Sequence, residues 1–136
     1  EDDAKSFDGL VSRMKEILGD KVKDVTVSTR LADSAACLSS EDGMTSAMDK
    51  FMRVMQKDDK IPVKTLEVNK DHPLLRSLLR IYKADAGDKT LTTMVQALFD
   101  EALLMDGYMK DPQEVAARSA GLLEQAAAWY AEVKKL

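Results

Sequence analysis

The period of the apolar residues switches between 3.6 and 2 along this chain, and the order of the switches decides its fold class. Phe7, Leu10, Val11, Met14, Ile17 and Leu18 share one helical face, and Gly19 is placed to stop that helix. Residues 22–28 then alternate around Val25 and Val27 and read as a half-buried strand. After a connection over 30–34, the short apolar run 35–38 reads as a second strand. The turn-like acidic residues 39–43 introduce a helix over 44–56, and Pro62 keeps the polar stretch after it from being helical. Thr65, Leu66, Glu67, Val68 and Asn69 alternate again as a third strand.

From there the period stays at 3.6. Asp71 reads as the N-cap of a helix buried through Leu74, Leu75, Leu78, Leu79 and Tyr82, with Pro73 in its first turn. Residues 86–88 break it. A long helix follows through Leu91, Val95, Leu98, Phe99, Ala102 and Leu103 and ends near Gly107. Asp111, Pro112, Gln113 and Glu114 then form a capping-box pattern that opens the last helix, whose Lys134 and Lys135 suit the negative end of its dipole. Strands do not alternate regularly with helices, which excludes a doubly wound sheet. The expectation is an α+β fold: a small three-stranded sheet with flanking helices, then C-terminal helices. At 136 residues the chain reads as one domain, and its start at Glu1 without a Met reads as a piece of a longer protein.

The chemistry-bearing residues are few. One His and one Cys lie far apart, so no metal-ligand spacing exists, and the expected roles are a helix-entry His72 and a core Cys37. No glycine-rich phosphate loop is present. A thiol enzyme built on Cys37 is an alternative, although nothing local activates a thiol set in an apolar run. A net charge of −4 argues against a nucleic-acid or membrane-surface footprint. No apolar run is long enough to span a bilayer. A single cysteine fits a reducing compartment, the cytoplasm.

Two stripes carry more. Met44, Met48, Phe51, Met52 and Met55 recur at i, i+4, i+7, i+8 and i+11. Spacing alone reads as core. The Met-rich content reads equally as a pliable docking surface, because Met specifies a core poorly. On the last helix, Val115, Ser119, Leu122, Leu123, Ala126, Trp129, Tyr130 and Val133 recur at roughly heptad spacing among small residues. That stripe either packs within one copy or pairs with a second copy as a four-helix bundle.

Residues 22–38 resemble the C-terminal domain of the ninety-kilodalton heat-shock chaperone family, of bacterial type. The opening helix, the helix over 43–55, residues 66–74, and residues 97–104 with Asp111 and Pro112 are similar as well, so the likeness covers nearly the whole chain. Lys70 departs from the proline that the family usually places there, which should loosen that turn while leaving the Asp71 cap intact. The resemblance implies an ATP-dependent homodimeric chaperone whose ATP and Mg chemistry lies in an N-terminal domain absent here, leaving this segment without catalysis or cofactor. It implies client contact through Met44, Met48, Phe51, Met52 and Met55. It implies dimerisation, as a four-helix bundle, through residues among Leu98, Leu122, Leu123, Ala126, Trp129 and Tyr130. The sequence ends Glu132, Val133, Lys134, Lys135, Leu136 and lacks the acidic tail that tetratricopeptide-repeat co-chaperones bind, so no such partner is expected. A stand-alone adaptor or dimerisation domain is the other alternative.

Overall fold

The computed structural model describes residues 2–31, 33–40, 51 and 61–136. The first apolar stripe forms helix α1 (Asp2–Leu18), which buries Phe7, Leu10, Met14 and Leu18. Gly19, at φ +57°, turns the chain into a single 3-10 turn (Gly19–Lys21), a conformation that costs a residue with a Cβ about 1–2 kcal/mol. Lys15 satisfies the carbonyls left over at this end, with Nζ donating to Val22 O at 3.0 Å and Lys23 O at 2.9 Å. Strands β1 (Asp24–Val27), β2 (Ala36–Ser39) and β3 (Thr65–Val68) follow, within a residue or two of the expected spans.

The sheet order is β1-β3-β2: the last strand in sequence is the central one, parallel to β1 and antiparallel to β2. Leu66 and Val68 of β3 are wholly buried, and the inward residues Val25, Ala36 and Leu38 flank them in register. Thr26, Cys37, Glu67 and Ser39 share the opposite, polar face.

Asn69 builds the turn out of β3. Its N–H donates to Ala35 O at 2.8 Å, its Nδ2 to Ser34 O at 3.2 Å, and its Oδ1 accepts from Asp71 N at 3.1 Å. The turn is thus closed by a buried side chain and is not loosened by Lys70. The cap of helix α2 (Pro73–Ala84) is His72 rather than Asp71: the Leu74 N–H donates to His72 Nδ1 at 3.1 Å. Pro73 takes the first helical position, where its missing N–H costs nothing, so the cap falls on the residue before it.

Helix α3 (Lys89–Met105) is capped by Asp88 and lies at the centre of the molecule, packed against α1, α2, β2 and the last helix. It ends in a Schellman motif around Gly107, at φ +94°, with Gly107 N donating to Leu104 O and Tyr108 N to Leu103 O. Tyr108 and Leu103, the pair that this motif brings together, are both buried. Helix α4 (Pro112–Val133) follows and packs on α3. The described residues thus form an α+β fold with a three-stranded mixed sheet and four α-helices.

Candidate interaction surfaces

Helix α4 starts as the sequence leads one to expect, with Pro112 at its first position and Asp111 accepting from Glu114 N at 3.2 Å. The rest of the box is spent differently. The Glu114 carboxylate does not return to the cap but takes a 2.8 Å bond from Arg118, whose other arm pairs with Asp100 of α3. Arg118 and Asp100 are both largely buried, and the two carboxylates hold the guanidinium charge above its ordinary range against the cost of desolvation. Gln125 reaches Thr90 at 3.5 Å further along. Half-buried Val115, Arg118 and Leu122 define the inner side.

No residue of α4 is buried. Leu123 is 70% exposed and Trp129 64%, with Tyr130, Val133 and Ala126 also exposed. Each large apolar side chain left in water forgoes roughly 1.5–3 kcal/mol, so this stripe is costly as it stands. Of the positions that the resemblance marks for dimerisation, Leu122, Leu123, Ala126, Trp129 and Tyr130 lie at or near this surface. Leu98 does not. It is 3% exposed in the chain's own core with Leu91, Val95 and Ala102, because its offset on α3 points it inward.

Of the Met-rich stripe, Phe51 is exposed. Met44, Met48, Met52 and Met55 lie outside the described residues, as does the helix expected over 44–56. An open groove of about 820 Å³ runs between residues 61–63, the end of α3 and the first turns of α4, with Phe99, Leu103, Tyr108 and Met109 in its lining. Beneath it, Lys64 Nζ meets Asp106 Oδ2 at 2.7 Å and lies 5.7 Å from the Tyr108 ring centroid. These two charges are 5% and 4% exposed, and no pattern in the sequence announces them.

Cys37 lies half-buried on the polar sheet face beside Glu67. Burial first and the Glu67 charge second push its thiol pKa upward, against the pull of Arg30. An activated nucleophile needs the opposite shift. Arg30 forms an ion pair with Glu67 at 3.2 Å and, through that hydrogen bond, lowers the Glu67 carboxyl from its ordinary 4.5. A carboxyl depressed on folding contributes stability that is present above its unfolded value and lost as pH falls through the folded one. Glu67→Gln should therefore flatten the loss of melting temperature below about pH 4.5 relative to wild type. Equal acid slopes for the two proteins would show that the pair contributes nothing. Among the described residues no three His, Cys, Asp or Glu side chains are grouped to hold a metal ion, and no helix is long and apolar enough to cross a membrane.

Comparison with known proteins agrees with this architecture. The family model described as Hsp90 protein matches residues 1–135. The chaperone protein HtpG of Oleidesulfovibrio alaskensis is 54% identical over the whole chain, and that of Nitratidesulfovibrio vulgaris 47%. A putative heat shock protein HSP 90-beta-3 of Homo sapiens is 37% identical over 83% of the chain. The chain spans 22% of the length of each of the two bacterial relatives and 20% of the human one.

Proposed function

Because this chain belongs to the Hsp90 protein family, we propose that it is the C-terminal dimerisation and client-contact domain of an ATP-dependent chaperone. ATP and Mg chemistry is assigned to a part of the parent outside these residues, and the domain itself carries no catalysis. The observation that bears most weight is the α4 surface: a 22-residue helix with no buried residue and a run of exposed Leu, Trp, Tyr and Val. Two copies that bring α3 and α4 together form a four-helix bundle, which covers both stripes at once. Leu122, Leu123, Ala126, Trp129 and Tyr130 are the proposed contacts, and Leu98 supports them from within the core.

Sedimentation across a dilution series tests this. Wild type should weigh twice its 15.1 kDa chain. Leu123→Asp alone, and Leu122→Asp with Leu123→Asp, should fall to one chain while keeping their helical circular dichroism. A wild type that stays at 15.1 kDa at high concentration would overturn the dimer.

Client contact is assigned to Met44, Met48, Phe51, Met52 and Met55, supported by the exposure of Phe51 and by the adaptability of Met side chains. Replacing Met48, Phe51 and Met52 by Ser should leave stability within the ~0.5 kcal/mol typical of surface changes while weakening capture of an unfolded model protein severalfold. A large drop in melting temperature would place the stripe in the core and remove the client role.

A further inference from the structure

Helix α4 is lopsided. Its first half carries small residues, Ala116, Ala117, Ser119, Ala120 and Gly121, and a Cβ built on Gly121 meets nothing within 4 Å. Its second half exposes Trp129, Tyr130 and Val133. Charge is divided in the same way, with Asp111 and Glu114 at the start and Lys134 and Lys135 at the end. The groove adjoins the start, and its apolar lining includes Ile61, Val63, Phe99, Leu103, Tyr108 and Met109. At the far end Leu136 is almost wholly exposed, yet held in place: Lys135 N donates to Glu132 O and Leu136 N to Ala131 O. A helix of 22 residues is about 33 Å long, so the last turn cannot reach the groove of its own chain.

Two ways of laying α4 on α4 differ sharply. A parallel pair sets Trp129 and Tyr130 against themselves, leaves the small halves gapped, and stacks like charges and like helix-dipole ends. An antiparallel pair sets each bulky half on a small half, and Lys134 and Lys135 beside Asp111 and Glu114, twice by symmetry.

We propose that α4 pairs antiparallel with α4 of a second copy about a two-fold axis near Leu123, and that residues 134–136 of each copy close the groove at the start of the other's α4. The proposal rests on the dimer reading above. It adds the direction of the pair and a groove that is complete only when the second copy fills it.

Single cysteines at Gln113, Glu124 or Glu132, each in a Cys37→Ser background of the full chain and spin-labelled, read the direction by pulsed and continuous-wave EPR. At a rise of 1.5 Å per residue and 8–10 Å between axes, the antiparallel pair gives about 30 Å at Gln113, about 10 Å at Glu124 and about 25 Å at Glu132. About 10 Å at all three positions means a parallel pair, and long distances at all three put α4 outside the interface. Either result overturns the pairing while the dimer stands. A sedimentation mass of one chain overturns the dimer reading, and the pairing with it. Leu136→Asp should raise the dimer dissociation constant about tenfold or more, and an unchanged constant overturns the groove contact.

Discussion

Lys64→Met should lower the free energy of unfolding by about 3–5 kcal/mol, a third or more of what a domain of this size possesses. Both members of the Lys64–Asp106 pair are at least 95% buried, so the variant leaves a carboxylate in the interior facing a methyl group. The position of Asp106 adds to the cost. It caps the C-terminal end of α3, where unpaired carbonyls already make the potential negative, and Lys64 offsets both sources at once. Met keeps most of the lysine stem, so the loss reports the charge rather than a cavity. The double variant Lys64→Met, Asp106→Leu should recover most of the loss, because removing both charges also removes their desolvation cost. Urea unfolding of the three proteins at one chain concentration measures this. A single variant within 1 kcal/mol of wild type would show that water reaches Asp106 and that the pair is not a buried one.

Leu98→Ala should cost about 2–5 kcal/mol, and the cost should not depend on protein concentration. Leu98 packs with Leu91, Val95 and Ala102 in the one continuous core, which closes only partly around a missing isobutyl group. A residue at a subunit contact behaves differently: its truncation shifts the monomer–dimer equilibrium, so the apparent loss changes with dilution. Leu123→Ala is the matched control. It should leave a dissociated chain as stable as before and weaken only the pair. Thermal melts of both variants at two concentrations a hundredfold apart separate the cases. A Leu98→Ala melting temperature that moves with concentration more than that of wild type would return Leu98 to the interface.

The failures of sequence reading have physical causes that can be traced residue by residue. Leu98 and Leu122 both sit on apolar helical stripes, and periodicity says that a stripe is covered without saying by which chain. Asp71 is the better capping residue in isolation, but the first helical position belongs to Pro73, which moves the cap to His72. Glu114 has the spacing for a reciprocal box, yet a guanidinium one turn on is the stronger partner for its carboxylate. Lys64 and Asp106 are 42 residues apart and meet only because β3 enters the sheet beside the end of α3.

Local chemistry by itself determined most of the elements: the α1 stripe and its Gly19 stop, three short alternating strands, the Asp88, Pro112 and Gly107 punctuation, and the α+β class that follows from their order. These need only neighbours within a turn or a strand, and such neighbours are written in the chain. The strand order β1-β3-β2, the burial of Lys64 against Asp106, the inward aim of Leu98 and the bare face of α4 were decided by tertiary structure alone. Each depends on which distant surfaces meet, and that is settled by burying the whole core at once rather than by any local preference.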